Sequence, residues 1–232
     1  IKGNNMFVKY YDKNSINEIE LSSFKDNERF VLSLGGIDSI YYNFPSNFQN
    51  SVDIIVTSPP YVYAQEYIRS SKLELYWLGE INDSKASKLA KNEIGHRKFV
   101  DLDKISKEID HIKSYKLTKE KLLGLEKEKY GKNGKYTPQI INYFYDMYSI
   151  IKNMRKPLKK DGIFAFFIGN PTVLGIQVEC WKIFYEFFLD LGYEILEYGY
   201  DPIVSRALLR GRNNASPNGM EYEWLIIAKN RF

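Results

Sequence analysis

An apolar strand that ends in two prolines is the feature that most constrains this fold. Residues 52–57, Val-Asp-Ile-Ile-Val-Thr, run directly into Ser58-Pro59-Pro60-Tyr61. A nearly continuous apolar strand is typical of a sheet that is covered on both faces. Proline lacks an amide hydrogen and has a fixed φ, so neither proline can lie inside a central strand. We therefore expect the strand to stop at Thr57 and a stiff corner to follow it.

Predicted strands alternate with predicted helices along the chain. The strands cover residues 28–34, 52–57, 163–170, 193–200 and 221–229, and the helices cover 62–78, 139–156 and 176–192. Such alternation predicts an α/β fold with a mostly parallel sheet. No helix separates the last two strands, so we expect a hairpin with one antiparallel strand near the C-terminus.

The composition argues against several kinds of site. Of 232 residues, 44% are hydrophobic and 27% are charged, which suits one well-buried domain. A single cysteine, Cys180, rules out a disulfide framework and a cysteine-rich metal site, and two histidines argue against a histidine-rich one. No apolar run approaches the roughly 20 residues of a membrane span, and no signal peptide is visible. We therefore expect a soluble cytoplasmic protein that binds no metal.

The segment from residue 81 to residue 138 differs from the rest of the chain. It contains 15 Lys and Arg residues against 9 Asp and Glu residues, and large apolar side chains are few. One interpretation is a helical insertion with solvated charges, and the other is a basic lobe that contacts phosphates. In either case, residues 1–80 and 139–232 are predicted to form the main domain.

The corner at residues 58–61 suits a planar ring that carries an amino group. Ligands of an open α/β sheet bind outside the carboxyl ends of its strands, where this corner lies. Because the prolines remove competing N–H donors, the Ser58 hydroxyl and the Pro59 carbonyl form a rigid pair of acceptors. Tyr61 adds an aromatic face on which a base can stack. Two acceptors that hold an exocyclic amine favour its nucleophilic form during attack on a methyl donor.

The motif Thr57-Ser58-Pro59-Pro60-Tyr61 resembles motif IV of the amino-methyltransferases that methylate exocyclic nitrogens in DNA. The segments "KPLKKDGIFAFFIGN" and "VSRALLRGRNN" resemble later parts of the same family, so the likeness runs from about residue 29 to the end, without the Lys-rich segment. The resemblance implies a Rossmann-like methyltransferase sheet, S-adenosylmethionine as cofactor, and Ser58, Pro59, Pro60 and Tyr61 as catalytic residues. Serine at the first position is commoner among N4-cytosine enzymes, so cytosine N4 is favoured over adenine N6, in a restriction-modification context.

Two other functions stay open from the sequence. Related corners occur in RNA base methyltransferases, so RNA is an alternative substrate. The chain could also be a non-catalytic, nucleic-acid-binding subunit with a degenerate methyltransferase fold.

The resemblance also suggests binding residues outside the corner. Asp38 lies near the end of the preceding predicted strand and could hold the cofactor, although capping a helix is the alternative role. Thr57 and Ser58 are expected beside the cofactor as well. Candidate nucleic-acid contacts, each of which could instead be ordinary surface charge, are Arg69, Lys72, Arg206, Arg210 and Arg212.

One part of the family pattern is missing. The family binds its cofactor through a Phe-x-Gly-x-Gly turn after the first strand, and no such turn is found in this sequence. The first residue is Ile1, so we expect a preceding segment or a second polypeptide to carry that turn and the first cofactor-binding strands. A degenerate domain is the alternative explanation, and a homodimer is an alternative assembly.

The missing turn leads to a prediction about the cofactor. We expect the isolated chain to bind S-adenosylmethionine weakly or not at all, as measured by isothermal titration calorimetry. Micromolar binding by this chain alone would show that the cofactor site lies elsewhere in these 232 residues.

Overall fold

The fold is taken from a computed structural model, which describes residues 8–10, 31–33, 44, 46–62, 67–77, 82–91, 94, 107–131, 136–203 and 220–232. The chain divides into two compact units, residues 1–42 and residues 43–232. In the first unit, strands β1 (Val8–Tyr10) and β2 (Val31–Ser33) pair in parallel. Strand β2 lies within the predicted strand at residues 28–34.

The second unit contains the remaining strands and helices. They are β3 (Val52–Thr57), α1 (Tyr67–Ser70), α2 (Lys72–Trp77), α3 (Asp83–Lys91), α4 (Lys113–Tyr130), α5 (Tyr136–Asn153), β4 (Leu158–Gly169), β5 (Thr172–Val173), β6 (Ile176–Gln177), α6 (Cys180–Asp190), β7 (Glu194–Pro202) and β8 (Tyr222–Lys229). No helix in these ranges is long and apolar enough to cross a membrane.

The main sheet has the strand order β3-β4-β8-β7. Strand β4 pairs in parallel with β3 and antiparallel with β8, and β7 pairs antiparallel with β8. Strands β3, β4 and β7 therefore run in one direction and β8 runs in the other. This arrangement confirms the predicted mixed α/β sheet with an antiparallel strand near the C-terminus, and it places that last strand inside the sheet, between β4 and β7.

The hydrophobic core lies on one face of this sheet. Alternate side chains of β4 point toward α5 and α6, as the period of two along a strand requires. Phe166 lies 4.8 Å from Phe184 between ring centroids, and Phe164 lies 5.2 Å from Phe188 in an edge-to-face contact. The buried Cys180 belongs to the same core. Such aromatic pairs each add about 0.5–1.5 kcal/mol beyond the burial of their area.

The opposite face of β3 is exposed. Ile54 and Val56 alternate with Ile55 along the strand, and their side chains are 56% and 62% exposed, whereas Ile55 is partly buried against the core. Within the described sheet, β3 is also a terminal strand. The apolar run in β3 predicted a strand that is covered on both faces. The described residues cover β3 on one face, and its other face is exposed.

Helix α4, from the Lys-rich segment, packs on the core. Its Tyr115, Leu122 and Glu126 are buried. The Glu126 carboxylate accepts hydrogen bonds from the backbone N–H groups of Tyr136 and Thr137 at 2.8 and 3.0 Å, and another from the Thr137 hydroxyl. These donors lie at the start of α5, where N–H groups lack partners within the helix. A side chain of α4 therefore caps α5, which begins two residues before the predicted domain boundary at residue 138.

The buried cap leads to a stability prediction. We expect Glu126→Gln to lower the free energy of unfolding by about 1–3 kcal/mol, because an amide NH₂ then faces donors that the carboxylate satisfied. Urea denaturation measures the change. The matched control is Glu128→Gln, at an exposed position on the same helix. If the two variants unfold at the same urea concentration, Glu126 does not cap α5.

Candidate active site

The corner at residues 58–61 lies at an edge where three strands meet. Because β3 and β4 are parallel, their carboxyl ends are adjacent, with Thr57 of β3 opposite Phe166 of β4. Strand β8 begins at the same edge, where Glu223 pairs with Gly169. The carboxyl ends of parallel strands are the usual ligand-binding edge of an α/β sheet.

Tyr61 is fixed at this edge by two contacts. Its ring lies against Gly169, where a Cβ atom would lie 3.0 Å from Tyr61 Cε2 and would also collide with the Met220 sulfur. Its hydroxyl donates a hydrogen bond to the Glu223 carboxylate. A glycine at the end of β4 therefore provides the space in which the aromatic ring and Met220 lie.

The second proline is fixed from the helical side of the sheet. Tyr143, which is fully buried on α5, donates its hydroxyl to the Pro60 carbonyl at 2.7 Å. Pro59 is buried, whereas Ser58 is exposed. The Pro60 carbonyl therefore already has a hydrogen-bond partner inside the protein, and the Ser58 hydroxyl is at the exposed side of the corner.

Tyr61 is a neutral phenol at physiological pH. Burial, and then the hydrogen bond to Glu223, raises the pKa of Tyr61 to about 12. Burial also raises the pKa of Tyr143 well above its usual value. The Tyr61 ring at the corner is therefore uncharged, and its hydroxyl lies against the Glu223 carboxylate.

Of the other predicted site residues, the structure describes Thr57, Arg69 and Lys72. Thr57 is partly buried at the end of β3. Arg69 on α1 and Lys72 on α2 are both exposed, and the Lys72 ammonium lies 5.3 Å from the centroid of the Tyr76 ring. Four predicted residues, Asp38, Arg206, Arg210 and Arg212, lie outside the described residues.

Described residues flank the basic segment at residues 204–219 on both sides. Its flanking residues are joined by a backbone hydrogen bond from Ile203 to Glu221 at 3.0 Å. Met220, directly after the segment, contacts the Gly169 position beneath Tyr61. Among the described residues, no cluster of His, Cys, Asp and Glu could hold a metal ion.

Sequence reasoning missed Gly169, Tyr143 and Glu223. A glycine at a strand end often marks a close approach by another group, and this signal could have pointed to Gly169. Tyr143 resembles any other aromatic residue on the buried face of its helix. Glu223 is one of many strand acids, and its partner Tyr61 is 162 positions away in the sequence.

The comparisons with known proteins give a likeness to solved structures only. No protein-family model matches the sequence, and no curated protein matches it. Among solved structures, the chain is similar to a presumed DNA modification methylase from Thermus thermophilus, complexed with S-adenosyl-L-methionine, at 12% identity and a TM-score of 0.37. The match covers 79% of this chain and 49% of that protein, so the chain spans about half of its length.

The close approach at Gly169 can be tested by adding one methyl group. We expect Gly169→Ala to destabilise the protein by about 1–3 kcal/mol, because the new Cβ overlaps the space of Tyr61 and Met220. The control is Gly124→Ala, in the middle of α4, where nothing lies within 4 Å of the new Cβ. That change should stabilise the helix by about 0.5–1 kcal/mol. Urea denaturation should show that the two substitutions change the free energy of unfolding in opposite directions. A Gly169→Ala variant more stable than the parental protein would contradict the close contact between Tyr61 and Gly169.

Proposed function

We propose that this chain is the catalytic part of an S-adenosylmethionine-dependent DNA methyltransferase. It transfers a methyl group to an exocyclic amino group of a base, with cytosine N4 favoured over adenine N6, in a restriction-modification context. The observation that carries the proposal is the rigid Ser58-Pro59-Pro60-Tyr61 corner at the carboxyl edge of the sheet. Its tyrosine is fixed by Gly169 and Glu223, and its second proline by Tyr143.

The chemistry follows from the weak nucleophilicity of an exocyclic amine. Its lone pair is delocalised into the ring, so attack on a methyl group requires the nitrogen to become pyramidal and to gain positive charge. The Ser58 hydroxyl and the Pro59 carbonyl are the proposed acceptors for the two amine hydrogens, and acceptors placed in advance stabilise charge that develops in the transition state. The Tyr61 ring stacks on a base that has left the duplex.

The cofactor would supply an electrophilic methyl group bonded to a sulfonium sulfur; that carbon–sulfur bond would break as the carbon–nitrogen bond forms, a neutral thioether would leave, and the methylated amine would release one proton to water. Thr57 and Ser58, at the end of β3, are the described residues proposed to lie beside it, together with Asp38. A glycine-rich turn that could cradle the cofactor is not among the described residues. We therefore propose that a further segment or a second polypeptide completes the cofactor site.

The nucleic-acid contacts are proposed to come from two basic groups. Arg69 and Lys72 are exposed on the short helices that follow the corner. The segment at residues 204–219 adds Arg206, Arg210 and Arg212. The residues on either side of it, Ile203 and Glu221, are joined by a backbone hydrogen bond. Together they would contact phosphates and bases on either side of the target base.

A second candidate function is a non-catalytic, nucleic-acid-binding subunit. The absence of a Phe-x-Gly-x-Gly turn from the sequence favours it. In that case the corner would bind an unpaired base without transferring a methyl group.

Methyl transfer from labelled S-adenosylmethionine to cellular DNA tests the proposal. The assay uses the complete protein with any polypeptide that co-purifies with it, and nucleoside analysis identifies the labelled base. Losing the Ser58 acceptor in Ser58→Ala should lower turnover on the order of 10²-fold with little change in DNA affinity, by analogy with oxyanion-hole donors.

The matched control for this experiment is Ser71→Ala, at an exposed position between α1 and α2. It should transfer methyl groups at the parental rate. If Ser58→Ala also retains the parental rate, the corner is only a turn and the proposal is wrong. DNA binding without any methyl transfer by the parental protein would favour the non-catalytic subunit.

A further inference from the structure

The last two strands expose tyrosine side chains on one face. Tyr198 and Tyr200 of β7 and Tyr222 of β8 are 50%, 60% and 38% exposed. In the pairing of the two strands, Tyr198 lies opposite the buried Ile226, and Tyr200 lies opposite Trp224. Because side chains alternate along a strand, these tyrosines share the face of the sheet that carries the core. That face therefore continues beyond the core as an exposed aromatic surface toward the carboxyl end of β7.

The rings of this surface hold one another in place. Trp181 of α6 stacks on Trp224, with 4.3 Å between the centroids and 6° between the planes, and it also stacks on Tyr198 at 5.7 Å. The Tyr200 ring lies 5.1 Å from the Trp224 ring, and it contacts the Tyr222 ring edge to face at 4.8 Å. Rings that are already held lose little conformational freedom when a ligand stacks on them. The exposed tyrosines are therefore preorganised for a flat partner.

The aromatic surface adjoins the corner at residues 58–61. Glu223, which accepts the hydrogen bond of Tyr61, directly follows Tyr222 in the chain. Glu223 pairs with Asp201 of β7, and the alternation along both strands places these two carboxylates on the face opposite the tyrosines. The sheet therefore separates the two negative charges from the aromatic surface.

The charge of the adjoining sequence indicates the kind of partner. Residues 204–219, which connect β7 to β8, contain three arginines and no Asp or Glu. This composition favours a polyanion over an apolar protein surface as the occupant. Nucleic acid is the polyanion that also carries flat rings, and a base can stack on a side chain once it is not stacked within a duplex.

We propose that Tyr198, Tyr200 and Tyr222 form a stacking site for unpaired bases of single-stranded DNA, separate from the Tyr61 corner. Every base has an aromatic face, so the site holds the strand without reading its sequence. The inference goes beyond the proposed function and does not require methyl transfer, because a non-catalytic DNA-binding subunit would use the same surface.

The test removes one ring at a time from the complete protein. Fluorescence anisotropy measures the binding of a labelled single-stranded oligodeoxynucleotide of mixed sequence. Tyr200→Ala and Tyr222→Ala should each weaken binding about tenfold, which is within the range for the loss of one stacked base. Tyr200→Phe should bind as the parental protein does, because it keeps the ring. The matched control is Tyr130→Ala, which removes an exposed tyrosine at the end of α4 and should also leave binding unchanged.

Two further probes separate stacking from contacts to phosphates and from misfolding. One is the same oligonucleotide annealed to its complement, and the other has abasic sites in place of its bases. The parental protein should prefer the intact single strand over the abasic one, and Tyr200→Ala should reduce this preference about tenfold. Binding of the duplex should be nearly the same in Tyr200→Ala and in the parental protein, because the faces of paired bases are covered by their neighbours.

The inference is overturned if the parental protein does not bind the single strand, or if both alanine variants bind it with parental affinity. An equal loss of affinity for all three probes would also overturn it, because the lost contacts would then not be to bases. If Tyr200→Ala instead converts a dimer to a monomer in analytical ultracentrifugation, with DNA binding unchanged, the surface is an interface between copies of the chain and the inference is wrong.

Methyl transfer by the parental protein separates this inference from the proposed function. Binding of the single strand that depends on Tyr200, in a protein that methylates no DNA, would support the stacking site and contradict the proposed methyl transfer. Methyl transfer to DNA, together with single-strand binding that does not depend on the tyrosines, would contradict the stacking site alone.

Discussion

The burial of β4 against α6 is the interaction on which the rest of the second unit depends. One face of β4 supplies Phe164 and Phe166 to the aromatic core, and its two edges pair with β3 and β8. Its carboxyl end supplies Gly169, which leaves the space that the Tyr61 ring occupies. A change that moved β4 would therefore affect the core, the sheet and the corner together.

The hydrogen bond between Tyr61 and Glu223 joins two distant parts of the chain. Tyr61 follows β3, whereas Glu223 lies on the last strand, 162 positions later. The bond forms because the last strand pairs with β4, which brings its first residues to the carboxyl ends of β3 and β4. The insertion of β8 between β4 and β7 therefore also brings an acidic side chain to the corner.

Local patterns in the sequence were sufficient for the four strands of the main sheet and for the end of β3, but not for β1, β5 and β6. The apolar runs in β3 and β4 predicted buried strands, and the two prolines predicted where β3 ends. The start of α5 was predicted at residue 139 instead of Tyr136, because its cap comes from Glu126 on another helix. Pro138 in the first turn of α5 was the available signal, since proline is tolerated there.

The contacts that fix the corner could not be predicted from local patterns. Tyr143 and Glu223 act through hydrogen bonds to residues that are far away in sequence, and their own surroundings resemble those of any amphipathic helix or strand. The roles of Arg206, Arg210 and Arg212 stay predictions, because these residues lie outside the described part of the chain. The domain boundary at residue 138 stays a prediction too, although it falls within α5.

The cap that Glu126 provides has an evolutionary consequence. Helix α4 belongs to a Lys-rich segment that looks, by composition, like an insertion that could be gained or lost as a unit. Yet its Glu126 caps the start of α5. Helix α5 carries Tyr143, whose hydroxyl donates a hydrogen bond to the Pro60 carbonyl. A deletion that removed α4 would loosen the start of the helix that supports the corner. Related chains that retain the corner should therefore vary in length before or after this helix, and they should keep the helix itself or replace its cap.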